Sequence, residues 1–516
     1  MKQKILFLST LILLVFASCT KLDEKLNDKL SQSQVASGSS SGGVNVDALL
    51  SGVYNSIRGT FQGQEGVYAL TEMTTDELIG PTRGGDWDDN GAWRVLHSHN
   101  YDGDHVRVKE VWANLNGVNY AATDLLRYSP SAQQAAEARL LRAFAQYMIL
   151  DLYNQVPYRE PGESVVTASK VRVGADALKF ITDELTAIIP SLPDGPITKA
   201  NKNAGRVLLM KCLLNKGAIA NRTAPTFDAA DMAQVKTLAD QVIAGPYSFS
   251  VSYFDNFAPN NNAIGKENIW EQENKGGVSS DNVRSRWHSG MHYNQQPSGW
   301  NGFTTLSDFY NKFEATDKRR GVAYAYTTSV GANTNPANAI NVGFLVGQQY
   351  HMVTGAALKD RTGAPLAFTP AVKIIEKDAN LEVTGIRAYK YPIDFQYDDN
   401  GNVDNDYVVF RLADVMLMKA EAMLRTSDAA GALAIVNTIR TNRGATSLAS
   451  LTLDNLIDER GREMYLESWR REDLIRFGKF LTPWQEKPKD DPKFILLPIP
   501  NGQLAANPNL VQNPGY

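Results

Sequence analysis

Residues 133–155 read QQAAEARLLRAFAQYMILDLYNQ and set Leu140, Leu141, Phe144, Tyr147, Met148 and Leu152 three and four residues apart. That spacing places the large apolar side chains on one helix face, so a helix is predicted here, packed on that face and stopped by Pro157. The spacing recurs over 175–189, 205–220, 407–425 and 428–443, the last running into Gly444, a residue suited to the left-handed turn just past a helix. Helices of this length cannot each bury a stripe alone. Stacked hairpins of the tetratricopeptide kind bury them all, although the strict repeat signature is missing. The expected fold is mainly α, with helical hairpins as a scaffold, long irregular loops and a few short strands. Residues 246–405 depart from it, being rich in Asn, Gly, Tyr and Trp, with strand-like pieces such as IRAYKYPI. Loops held by a rigid frame are where binding residues concentrate.

The front of the chain is of another kind. Lys2 and Lys4, an apolar stretch of 12 residues from Ile5 to Phe16, and the small pair Ala17 and Ser18 read as an export signal, too short to span a membrane. The pattern resembles a bacterial lipoprotein signal, which implies a mature chain starting at a lipidated Cys19. SQSQVASGSSSGG, residues 31–43, is then a flexible tether. The expected organisation is a signal at 1–18, anchor and linker at 19–43, and one domain at 44–516 with a loop-rich insert at about 246–405. Removing residues 1–18 with their two lysines takes the formal charge from −4 to −6. A mildly acidic chain with no basic block excludes a nucleic-acid partner. Cys212 is left alone inside an apolar run, a buried and inert thiol.

Enzyme signatures fail one by one. GSSSG at 38–42 has the letters of a nucleophile elbow but lies in the tether, with no strand before it or helix after it. There is no phosphate loop, no dinucleotide glycine pattern and no zinc-protease histidine pair, while His288 and His292 sit in a poor helix without a third ligand. Residues 458–476 hold eleven charges among Met464, Tyr465, Trp469, Leu474 and Ile475, and read as a solvated helix laced with weak i, i+3 and i, i+4 pairs. A catalytic reading would make Glu463 and Glu467 an acid and base for glycoside hydrolysis. The crowding arginines favour ionised carboxylates and spoil a general acid. Arg411, Asp414 and Glu421 are expected to bond to neighbouring helices.

Several of these segments resemble, in order, the SusD/RagB family of outer-membrane nutrient-binding lipoproteins: EARLLRAFAQYMILDLYNQVPY at 137, GRVLLMKCLLNKG at 205, FRLADVMLMKAEAMLR at 410, IVNTIRTNRGA at 435, LIDERGREMYLESWRREDLIRFGKF at 456, and the ending LPIPNGQLAANPNLVQNPGY. The lipoprotein start belongs to the same pattern, while the family's acidic residue near Gln503 is missing. The resemblance implies a non-enzymatic, lipid-anchored protein on the outer face of the outer membrane. Such proteins cover a TonB-dependent transporter like a lid and capture oligosaccharides or, in some members, peptides. It also implies an aromatic platform built from loops after the first helix and from the middle section.

Two loops have the composition for that. Residues 82–104 set Trp87, Trp93 and Tyr101 among Arg83, Asp86, Asp88, Asp89, Asn90 and Arg94, and residues 287–303 set Trp287, Tyr293, Trp300 and Phe303 among His292 and several Asn and Gln. A sugar offers an apolar C–H face to an aromatic ring and a rim of hydroxyls to carboxylates, amides and guanidiniums. The expected ligand contacts are Arg83, Trp87, Asp88, Asn90, Trp93, Trp287, His292, Tyr293 and Trp300; the other reading is that these rings plug long loops onto the scaffold. Peptide capture would instead need a deep polar cavity, and a hydrolase two carboxylates in a cleft. Asp86, Asp88 and Asn90 before Gly91 also reproduce the opening half of a calcium loop, with His97 where the closing glutamate belongs. DDNGNVDND at 398–406 is a second acidic run, read either as calcium ligands or as a hairpin tip around Asn400 and Gly401. No other cofactor is expected.

Overall fold

In a computed structural model the described residues are 44–516, apart from 325, 329, 330, 334–338, 353 and 378–380. The signal, Cys19 and the tether at 31–43 lie outside the described residues. The scaffold helices are α1 (Val46–Phe61), α2 (Val67–Glu72), α3 (Val106–Leu125), α4 (Ala132–Tyr153), α5 (Gly174–Ile188), α6 (Lys202–Ala220), α7 (Ala229–Ile243), α8 (Leu412–Arg425), α9 (Ala429–Asn442), α10 (Leu453–Met464) and α11 (Arg470–Arg476). The principal strands are β1 (Gln155–Tyr158), β2 (Lys170–Val173), β3 (Asn268–Gln272), β4 (Val342–Leu345), β5 (Arg387–Tyr389) and β6 (Tyr407–Arg411). Among the described residues, no helix is long and apolar enough to cross a membrane.

Local chemistry explains the helix ends. Ser131 and Gln134 form a reciprocal capping box that starts α4, and Asn154, left-handed at φ +64°, ends it before Pro157 is reached. Gly444, φ +75°, follows α9 as its spacing predicted. The stripe at 407–425 is only partly helical: its first five residues are β6, and α8 starts at Leu412. A run of Tyr, Val, Val and Phe is β-branched and aromatic, and it pairs antiparallel with β3, Val408 lying opposite Glu271. Helices pack in sequence, α3 on α4, α5 on α6, α6 on α7, and α7 on α8. The insert therefore leaves the scaffold after α7 and returns at α8 beside it, closed at its base by the β3–β6 pair. Cys212 is buried within α6, and burial holds its thiol well above the usual range.

The charged segment at 458–476 corrects the solvated-helix reading. It forms α10 and α11, and Glu459, Arg460, Glu463, Arg471 and Asp473 are all buried. Their partners come from elsewhere in the chain. Arg411 Nη1 lies 2.6 Å from Glu463 Oε1 and its Nη2 lies 2.7 Å from Glu467 Oε1, while Arg443 Nη2 stands 2.8 Å from both Glu463 Oε1 and Glu267 Oε2. Arg319 Nη1 adds contacts of 2.7 Å to Glu459 and 2.9 Å to Glu463. Asp414 pairs with Arg460 at 3.0 Å and Glu421 with Arg476 at 2.9 Å, so the expectation that Arg411, Asp414 and Glu421 tie helices together holds. Although burial pushes the Glu463 carboxyl up, Arg443, Arg411 and Arg319 together hold it well below the usual range. A permanently ionised, water-free glutamate is no general acid.

A second buried acidic pair behaves in the opposite way. Glu72 and Glu77 share a hydrogen bond in the core, and burial pushes Glu72 up to about 7 and Glu77 well above its ordinary value. Glu77 Oε2 accepts the Leu466 N–H at 2.9 Å and Glu72 Oε1 accepts the Ser468 N–H. Leu466 and Ser468 are left-handed, at φ +57° and +69°, in the link from α10 to α11. A carboxyl whose pKa is raised on folding binds more protons in the folded state, so its contribution is complete below the ordinary 4.5 and is lost as pH rises through about 7. Burial raises Asp406, to about 7, and Glu271 in the same direction. Glu72→Gln is expected to flatten the fall in unfolding free energy, measured by urea titration between about pH 4.5 and 7, by up to about 1.4 kcal/mol per pH unit. A fall as steep as the parent's would show that the pair ionises without cost.

Candidate functional site

Arg83 fastens the first aromatic loop to the second. Its Nε donates to Asn301 O at 3.1 Å and its Nη2 to Gly302 O at 3.3 Å, while Nη1 reaches Glu376 Oε2 at 3.1 Å and Leu381 O at 2.8 Å. Burial pulls its pKa down to about 10. Each of its three side-chain nitrogens is bonded within the protein, so Arg83 is a clamp among three loops.

With the loops clamped, Trp87 lies along the second. Its Nε1 donates to Trp300 O at 2.9 Å, and its ring crosses Phe303 at a centroid distance of 5.1 Å and Trp93 at 6.4 Å. A Cβ on Gly302 would stand 2.4 Å from two indole carbons of Trp87, so a glycine is required for this approach. Trp93, 2% exposed, and Phe303, 3% exposed, form the floor beneath it. Trp87, Tyr293 and Trp300 are half-buried and reach the surface. Trp300 stands 5.6 Å from the His288 ring, and the Arg361 guanidinium lies 4.3 Å from the Tyr293 ring centroid. Burial, and then the nearby charge of Asp86, raise the Tyr293 hydroxyl. Arg361 is itself paired with Glu382, on which His292 Nε2 also closes at 2.9 Å.

Several expected contacts are thereby relocated. Trp287 is fully buried, its Nε1 donating to Asp398 at 2.9 Å, and His292 is fully buried with its pKa lowered by burial. Trp93 belongs to the floor. These three, like Arg83, serve the frame. Asp88 Oδ1 accepts from Arg94 Nε at 2.7 Å, and Asn90 is exposed on a left-handed turn at φ +56°. Arg361 and Glu382 flank the surface without having been singled out, because nothing in the loop that carries them has a recognisable spacing.

Neither acidic run fits calcium. Asp88 is held by Arg94, Asp89 by Trp93 Nε1, and His97 is buried between the Leu78 and Gln485 carbonyls. At 398–406, Asp398 accepts from Trp287 and His288, Asp404 from Gly276 N at 2.8 Å and Asp406 from Asn274 N at 2.6 Å. This run is no hairpin tip either; its side chains pin the loop at 274–280. Among the described residues no group of three acidic, histidine or cysteine side chains could hold a metal.

Three cavities of about 340 to 400 Å³ open in other parts of the molecule, and Trp87, Tyr293 and Trp300 are not among the residues that line them. Trp87, Tyr293 and Trp300 form a half-buried shelf of rings at the surface. Residues 266–489, which hold its second half and the buried charge network, match the SusD family. Over those residues the chain is similar to the SusD family. It is similar to the starch-binding protein SusD of Bacteroides thetaiotaomicron, 26% identical with 89% of this chain and 87% of that protein covered. The SusD-family fold is shared with a SusD superfamily protein from Parabacteroides distasonis, at TM-score 0.70 and 18% identity over 95% of this chain and all of that one. It is shared also with surface glycan-binding protein A from Bacteroides thetaiotaomicron, solved with laminarihexaose, at TM-score 0.63 and 17% identity over 91% and 98% of the two chains.

Proposed function

We propose that this chain is a non-catalytic cell-surface protein that binds oligosaccharide on the Trp87, Tyr293 and Trp300 shelf. It passes the ligand to a TonB-dependent outer-membrane transporter, and lipid on Cys19 holds it to the outer membrane. The observation that carries the reading is the hydrogen bond from Trp87 Nε1 to the Trp300 carbonyl, 213 residues apart, which brings half-buried tryptophans of the two loops together. Rings on a shelf bind the apolar faces of sugars, and Asp86, Arg361 and Glu382 stand beside them for the hydroxyl rim. The names of the relatives, starch-binding in one and glycan-binding in another, support the same class of ligand. Each stacked ring contributes roughly 0.5 to 1.5 kcal/mol beyond area burial, which suits weak, exchangeable binding.

Native gels containing a panel of plant, host and microbial polysaccharides test this directly. Retardation by at least one polysaccharide is expected, and its loss in Trp300→Ala with an unchanged melting profile. If no member of a broad panel retards the protein, the glycan reading falls and binding of peptides becomes the question.

A further inference from the structure

A cavity of about 400 Å³ opens between α4, α5 and the β1–β2 hairpin, lined by no residue of the aromatic loops. Its walls carry Arg139, Arg142, Arg159 and Arg172 against Glu160, Asp183 and Glu184. Glu184 Oε1 takes both Arg139, at 2.7 Å, and Arg142, while Asp183 pairs with Lys179 on the surface at 2.5 Å. Arg159 finds only carbonyls, Ser164 O at 2.7 Å and Thr167 O. Arg172 finds neither carboxylate nor hydrogen-bond acceptor among the described residues. Its guanidinium carbon lies 3.4 Å from the Tyr158 ring centroid and 3.8 Å from that of Phe180, distances that two rings can reach together only from opposite faces. Arg142, 8% exposed, keeps an unpartnered buried Nε. One feature opposes an anion: Glu184 Oε2 is also buried and unpartnered, which moves any negative ligand toward the Arg159 and Arg172 side.

We propose that this cavity is an oxyanion site, taking a carboxylate or sulfate group, with Arg172 as its principal contact. Both faces of the Arg172 guanidinium are covered, so only its planar N–H edge is open to a ligand, the edge that matches two oxygens of one anion. The stacked rings hold that edge in place before binding, so little side-chain freedom is lost. Arg159 adds charge from the hairpin. The inference does not rest on the aromatic shelf.

Calorimetric titration of the full chain at low ionic strength tests it with inorganic sulfate, methyl glucuronide and methyl glucoside. Saturable binding of sulfate or of the glucuronide is expected, with none for the glucoside. Arg172→Gln should weaken it at least about tenfold, and Trp87→Ala should leave it unchanged. Binding of the glucuronide identifies the source as a carboxylated saccharide; binding of sulfate alone identifies sulfate. No binding of either anion, equal binding by a folded Arg172→Gln, or equal binding of the glucoside overturns the proposal. Should Arg172→Gln fail to fold, Arg172→Lys keeps the charge without the planar edge and is expected to show the same weakening.

Discussion

Arg411→Ala is expected to destabilise the protein by about 3 to 5 kcal/mol, the range for removing one partner of a buried ion pair. Arg411 is fully buried and answers Glu463 at 2.6 Å and Glu467 at 2.7 Å, with Glu267 at 3.5 Å. Deleting it leaves buried carboxylates facing one another, with Arg443, Arg319 and Lys390 as the remaining cations. The cost is the desolvation of those unpaired charges and not the strength of any single contact, so Arg411→Met, which keeps much of the volume, is expected to cost nearly as much. Urea unfolding followed by circular dichroism checks both. A loss below about 1 kcal/mol would mean that water reaches the network and that the segment behaves as a surface helix after all.

Gly302→Ala is expected to abolish polysaccharide retardation while leaving the scaffold folded. The new Cβ would stand 2.4 Å from Cε2 and Cζ2 of Trp87, closer than any such contact survives, so the indole must swing away and its hydrogen bond to Trp300 O must break. Overpacking of this kind costs about 1 to 3 kcal/mol, and here the loop can relieve it by moving the ring. Gly85→Ala, two residues before Trp87 in the first loop and with nothing within 4 Å of its Cβ, is the control and should bind normally. Retention of binding by a folded Gly302→Ala would show that Trp87 does not meet the ligand.

The division between what sequence and structure each supply follows from the range of the forces involved. Apolar periodicity is a local signal, and it located α4, α5, α6 and α9 to within a few residues; the same signal misread β6, because a buried strand and a buried helix both need apolar residues. Composition marked the two loops that carry the shelf. It could not rank their rings, since whether Trp87 faces solvent and Trp287 the core depends on partners more than a hundred residues away, Trp300 O for one and Asp398 for the other.

The charged segment at 458–476 shows the limit most plainly. Its i, i+3 and i, i+4 spacings exist and some are used, as between Arg462 and Glu459, but Arg319, Arg411 and Arg443 make the decisive contacts. The chain by itself determined most of the scaffold helices, which loops are aromatic and which family's order its segments follow, because each is written in neighbouring residues. Only the tertiary structure decided which charges are buried, which tryptophans reach the surface and that Arg83 is a clamp, because burial is set by what the rest of the chain brings to the same place.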